Sequence, residues 1–160
     1  MKYNYYNISS RIILLIISIG PFLGAGLYFL IQGVGIAKIM SVFLFFLFLV
    51  FFYKSMCMNV TIDEEGITYK SLFKQQTFGW EQVHDVLIVV RQRRSVPDYY
   101  KFSDWFGAGY YGKSYFILFR TTPAFPENPM FMFSAPVGPH YISVQYRKGM
   151  EDLVDKYLDQ

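Results

Sequence analysis

The sequence predicts an N-terminal two-helix transmembrane hairpin followed by an α+β, mainly-β domain, a small partly open barrel or two-sheet sandwich capped by a C-terminal helix. Three observations predict it. Ile12–Ile31 is a run of twenty residues without a charged side chain, and Ile39–Tyr53 is a second, Phe-rich run. Beyond Met58 the pattern changes to short alternating apolar segments separated by turns, and the last ten residues return to helical periodicity.

The first apolar run covers about 30 Å as a helix, the thickness of a hydrocarbon core. It is too long for a signal peptide, and a second apolar segment follows almost at once. The second run is short by itself and becomes sufficient when the helix starts near Val34 and Lys38 snorkels to the headgroups. The spans are therefore placed at about 12–31 and 34–53, within a tail-and-hairpin region of residues 1–57. Gln32-Gly33-Val34-Gly35 supplies the turn. Both outer ends then share one side, flanked by Lys2, Arg11 and Lys54 against Lys38 alone at the turn, which places both termini in the cytoplasm.

Gly20 and Gly24 have small-xxx-small spacing, and Gly26 adds a third small position. They are candidates for helix packing, against the second helix or another subunit. The alternative is a helix kinked at Pro21 whose glycines are ordinary for a membrane span. The phenylalanines from Phe43 to Phe52 lie all round their helix, as lipid-facing bulk does.

Charge divides the chain in the same place. Up to Cys57 there are four basic residues and no acidic one, whereas from Met58 onward eleven Lys and Arg meet twelve Asp and Glu, so +4 and −1 give the net +3. A nearly neutral domain excludes nucleic acid as the expected partner. With one cysteine, Cys57, an intramolecular disulfide and a cysteine-based zinc site are both excluded; a small apolar residue or a palmitoylated one remains.

In the 58–160 domain, Val60 and Ile62 alternate into Ile67 and Tyr69 around the acidic-glycine turn Asp63-Glu64-Glu65-Gly66. Ser71–Gln76 turns the chain into Thr77-Phe78-Gly79-Trp80, and Val83, Val86, Ile88 and Val90 follow as sheet positions. Arg91–Lys113 reads as a long irregular stretch in which Pro97 breaks any strand, and the three prolines of Thr121–Pro129 make a loop. Strands are expected at Ser114–Arg120, Phe131–Phe133 and Tyr141–Tyr146, six or seven in all. Met150, Leu153, Val154, Tyr157 and Leu158 form one stripe of a helix.

Val60–Lys70 followed by Thr77-Phe78-Gly79-Trp80-Glu81-Gln82-Val83 resembles the bacterial pleckstrin-homology-like (PH-like) domains tethered to membrane helices. In that family two strands with an acidic-glycine hairpin lead to a Trp-polar-x-aliphatic signature, and a helix closes the fold. The resemblance covers Asn59–Leu158. It implies a membrane-attached binding or scaffolding module without a catalytic residue set or cofactor, whose partners are the lipid bilayer and a membrane protein or a second copy.

Within Arg91–Lys113, the residues Arg91, Arg93, Arg94 and Lys101 form the dense positive cluster, a candidate for anionic headgroups or simply solvated loop charge. Trp105, Phe106, Tyr110 and Tyr111 are the aromatic candidates for a headgroup or partner surface, with packing back over the barrel as the alternative. His84 and His140 lack metal-ligand spacing, Asp98 and Asp104 lack the spacing of a catalytic pair, and no phosphate loop or nucleophile motif is present, so no enzyme is predicted. Two functions compete: a noncatalytic membrane-anchored module recognising a protein or lipid, and an accessory subunit stabilising a larger membrane enzyme or transporter. Charge reversal at Arg91, Arg93 and Arg94 is expected to weaken binding to anionic vesicles in a flotation assay if the cluster engages headgroups, and to leave it unchanged if the charges are only solvated.

Overall fold

In the computed structural model, which describes residues 1–91, 97–107, 115–126 and 137–158, the chain divides into a helical unit, Tyr6–Met58, and a β-rich unit, Met1–Tyr5 with Asn59–Gln160.

The helical unit is an antiparallel pair. Asn7 caps α1 (Ile8–Ile17), its side chain accepting from Ser10 N at 2.8 Å. The helix continues through a π-helical segment, Ser18–Gly24, into α2 (Ala25–Gln32). Pro21 lies in that segment. A proline has no N–H and its ring crowds the preceding turn, and a locally widened turn is one way to absorb both. Gly33–Gly35 reverse the chain and α3 (Ile36–Met56) returns. The pairing is fixed by polar bonds as well as apolar packing: Arg11 Nε donates to Ser55 O at 3.0 Å and Ser18 Oγ to Phe48 O at 3.0 Å. Between them Phe22 packs on Phe51 with ring centroids 5.1 Å apart. The two continuous helices, Ile8–Gln32 and Ile36–Met56, are 25 and 21 residues long, and only 17% and 11% of the most apolar window of each is buried. A core helix of a soluble protein is mostly covered; these present their apolar side chains outward.

The β-rich unit holds two antiparallel sheets. The first runs β1-β2-β3-β4, with β1 (Lys2–Asn4), β2 (Asn59–Asp63), β3 (Gly66–Lys70) and β4 (Gln75–Phe78). The second runs β6-β5-β7-β9-β8, with β5 (Asp85–Arg91), β6 (Pro97–Lys101), β7 (Tyr115–Arg120), β8 (Val137–Gly138) and β9 (Tyr141–Gln145). Short α4 (Phe102–Gly107) follows β6, and α5 (Met150–Leu158) closes the domain with Met150 and Val154 fully buried. The β2–β3 hairpin forms at Asp63–Gly66 as the sequence predicts. Gly66 has φ +138°, and a Cβ there would lie 2.0 Å from Phe78 O, so only glycine fits.

The barrel is open. At the seam between β4 and β8 there is no backbone ladder; Gln76 Nε2 donates to Gly138 O at 2.8 Å and Lys74 Nζ to Val137 O at 3.3 Å. On β5 and β7 every described side chain from Val86 to Val90 and from Tyr115 to Arg120 is buried, which explains why β7 reads as a continuous apolar run and not as an alternation.

Four features differ from the sequence expectation, one of them α4, a helix within the stretch that reads as irregular; the other three are strands. Residues Lys2–Asn4, read as tail, form a strand: Asn4 pairs with Asn59 and Lys2 with Thr61. Pro97 starts a strand instead of breaking one, because β6 is an edge and the missing N–H at its first residue removes no inner ladder bond. Val137–Gly138, read as a connection, is a two-residue strand paired with β9. The expected strand Phe131–Phe133 lies outside the described residues.

Trp80 joins the parts of this unit. Its Nε1–H donates to Asp63 O at 2.8 Å, its ring stacks on Tyr157 of α5 at 5.3 Å, and its edge meets Phe119 of β7 at 6.3 Å. Trp80→Phe is expected to lose the hydrogen bond and destabilise the protein by about 1 kcal/mol. Trp80→Ala loses the ring contacts too, at about 3 kcal/mol. Denaturation in detergent micelles, followed by the fluorescence of the remaining Trp105, measures both.

Candidate functional site

Of the basic candidates, Arg91 ends β5 and Lys101 ends β6, with Lys101 exposed. Arg93 and Arg94 lie outside the described residues, as do Tyr110 and Tyr111. Phe106 is on α4, next to Trp105. Trp105 itself is 5% exposed, its ring 4.9 Å from that of Tyr100 and 5.3 Å from that of Tyr115. Tyr115 in turn stacks on Tyr146 at 4.3 Å, and Tyr146 donates to Glu151 Oε2 at 2.8 Å on the first turn of α5. This aromatic row ties α4 to the sheet and the closing helix. Trp105 is thus covered by the rings of Tyr100 and Tyr115. In the helical unit, a Cβ added at Gly26 would sit 3.5 Å from Leu44 Cβ, so this glycine seats α2 on α3; a Cβ at Gly20 would meet nothing within 4 Å, and one at Gly24 only Ile19 O, at 3.7 Å.

The strongest electrostatic arrangement joins Asp85 at the start of β5 to Arg120 at the end of β7, positions that are register partners. Arg120 Nη2 donates to Asp85 Oδ2 at 2.6 Å, and Nε donates to Oδ1, a two-pronged contact. Nη1 donates to Pro123 O at 2.5 Å, and the guanidinium lies 4.4 Å from the centre of the Phe125 ring. The hydrogen bond that Arg120 donates to Asp85 outweighs the opposing effect of burial and raises the Arg120 pKa. The group is a permanent cation with its donors directed at protein acceptors, and it holds the Thr121–Pro126 loop against the sheet.

Tyr99 secures the same loop from β6. Its hydroxyl donates to Pro126 O at 2.7 Å and its ring lies 4.7 Å from that of Phe125. Burial pushes the phenol up to about 12, with the Tyr141 phenol adding to the rise and Arg120 opposing it. Neither His84, 3.8 Å from Asp85 Oδ2, nor exposed His140 faces a nucleophile or a metal cluster; no group of three or more His, Cys, Asp or Glu suited to a metal occurs among the described residues.

A cleft of about 890 Å³ opens beside Trp80, lined among others by Glu64, Glu65, Glu81, His84 and Tyr157. Its three carboxylates give it an acidic rim. Thr77, also on the lining, is hydrogen-bonded to Thr68 at 2.9 Å. Among the described residues, the polar groups named above serve as structural ties or lie on open surface.

One known family matches part of the β-rich unit. Residues 58–97 match the family model of the bacterial PH domain, a quarter of the chain that spans β2 to the start of β6 and includes the acidic-glycine hairpin and Trp80. Residues 58–97 are thus similar to the bacterial PH domain, and two apolar helices long enough to cross a membrane precede them. No curated protein and no solved structure matches the chain.

The Tyr99 phenol has a definite pH signature. Its raised folded-state pKa contributes stability that is full below the ordinary value of 10.0 and is lost as pH rises through about 12. Tyr99→Phe is expected to flatten the decline in stability over that window, measured by thermal melts from pH 9 to 12 beside the parent protein.

Proposed function

We propose that this chain is a noncatalytic PH-like binding or scaffolding module, held at the cytoplasmic face of a bacterial inner membrane by a helical hairpin, where it recognises a protein or a lipid. The observation that carries the reading is the connectivity. The helical excursion leaves the β-rich unit after β1 and re-enters it at β2, and these strands are paired, Asn4 facing Asn59. An antiparallel hairpin ends where it began, so an even number of spans meets the requirement that both strand ends lie on one side of the bilayer. Lys2, Arg11 and Lys54 flank those ends and Lys38 is near the turn, the distribution of a cytoplasmic module. Tethering raises the module's effective concentration toward anything in the same membrane.

A second reading, an accessory subunit of a larger membrane enzyme or transporter, draws on Gly20 and Gly24, whose faces leave room for another helix. Purification in mild detergent separates the two, a stoichiometric membrane complex favouring the subunit. The primary reading predicts that the full chain stays in the membrane through alkaline carbonate washing. It also predicts that green fluorescent protein fused to either terminus fluoresces, whereas alkaline phosphatase at the same positions is inactive. Release by carbonate would remove the membrane reading, and active phosphatase at the termini would invert the orientation.

A further inference from the structure

The β3–β4 hairpin ends in a turn that exposes two large apolar side chains. Ser71 N donates to Lys74 O at 2.8 Å, and Lys74 N donates to Ser71 Oγ at 3.1 Å, closing the turn and holding Leu72-Phe73 at its tip. Leu72 is 69% and Phe73 88% exposed. Single exposed apolar residues are ordinary, but two adjacent large ones at a hydrogen-bonded tip occupy positions that turns normally fill with glycine, asparagine or serine. Lys70 and Lys74 flank them, both exposed. Lys74 Nζ donates to Val137 O, which holds that cation beside the tip.

The first sheet is polarised along its strands. Asn59 pairs with Lys70 and Asp63 with Gly66, so the Lys70–Lys74 tip and the Asp63-Glu64-Glu65 turn lie at opposite ends, and Glu81, just after β4, belongs to the acidic end. The basic, apolar end is the end at which the chain arrives from the helices: three residues, at most about 11 Å of backbone, separate Met56 from Asn59.

We infer that Leu72 and Phe73 insert into the interface of an anionic bilayer, with Lys70 and Lys74 at headgroup level. The occupant is a lipid surface and not a protein because apolar side chains with flanking cations complement the acyl boundary and anionic headgroups together. The acidic end of the same sheet is repelled by that surface, and the chain's own spans bring one within reach. This inference rests on the membrane-anchored reading above.

The test uses the full chain, with Cys57→Ser as background, in nanodiscs of phosphatidylglycerol and phosphatidylcholine containing nitroxide-labelled lipid. Single cysteines carrying bimane replace Leu72 at the tip, Glu64 at the acidic turn and Phe46 on α3. The expected result is several-fold stronger lipid quenching at 72 than at 64, with weaker quenching at 72 by aqueous acrylamide. Lys70→Glu is expected to lower the tip-contact equilibrium about fivefold or more, from the loss and reversal of one near-surface charge. If position 46 is lipid-quenched and 72 is as open to acrylamide as 64, the tip inference is overturned while the anchor stands. Shielding at 72 from both quenchers assigns the tip to a protein contact and likewise overturns it. Failure of lipid quenching at 46 overturns the membrane reading itself.

Discussion

The pairing of β1 with β2 is the constraint on which the rest depends. It joins Asn4 to Asn59 across the whole helical excursion, a closure that would be entropically costly for a flexible loop of that length. The excursion is not flexible. Arg11 meets Ser55, Ser18 meets Phe48 and Gly26 meets Leu44, a sequence of contacts that folds the segment back upon itself and leaves its ends together. Helix pairing therefore lowers the cost of strand pairing, and strand pairing requires that the helices return. If the helices cross a bilayer as proposed, a single span would separate Asn4 from Asn59, so the sheet register would require an even number of spans.

Within the β-rich unit, polar groups that could be mistaken for chemistry are committed to holding an open barrel together. Such a barrel lacks the continuous ladder of a closed one, and its seams must be tied otherwise. Gln76 and Lys74 tie β4 to β8 through backbone carbonyls. Arg147 donates to Asn4 O, and Gln145 N donates to Tyr5 O at 3.3 Å, which ties the first strand to the end of β9. Arg120, with Asp85, Pro123 and Phe125 around it, is 6% exposed. Its cation is compensated in place, which makes it a poor donor to any ligand and a good brace for the loop that follows β7.

Much of this was legible in the sequence because its signals are local. Two uncharged runs, an acidic turn with a glycine, and a tryptophan after a Thr-Phe-Gly segment each occupy a few consecutive residues whose physics is decided nearby. What was not legible depends on partners far along the chain. Lys2–Asn4 is too short to show alternation, and its partner strand begins only after both helices. Val137–Gly138 is a strand only because Tyr141 and Ile142 lie opposite it. Pro97 broke the pattern by eye, yet its position at a sheet edge made it harmless. Trp105 carried the same sequence signal whether it faced outward or inward, and only the rings of Tyr100 and Tyr115 decide that it is covered. The turn at Ser71–Gln76 was legible, but the exposure of Leu72 and Phe73 at its tip was not, because it follows from the Ser71–Lys74 bonds that close the turn.

A tethered module needs little surface affinity to behave differently from a free one. In the proposed anchored arrangement the spans hold it at the bilayer, so the translational part of the association cost is removed and a contact competes only with the module's own rotation. Under that condition a bias of about 1.4 kcal/mol is a tenfold preference for one orientation, within what a pair of apolar side chains and a pair of lysines supply at an interface. Such a contact sets which way the domain faces. With Lys70 and Lys74 toward the lipid, the opposite end of the first sheet points into the aqueous phase, and that end bears Glu64, Glu65 and Glu81 around the cleft beside Trp80. Though the domain is nearly neutral in total, the strand register of its first sheet sets Lys70 and Lys74 at the end opposite Asp63, Glu64 and Glu65. The same small net charge that argues against nucleic acid is consistent with a module that is steered by its charge distribution and not by its sum.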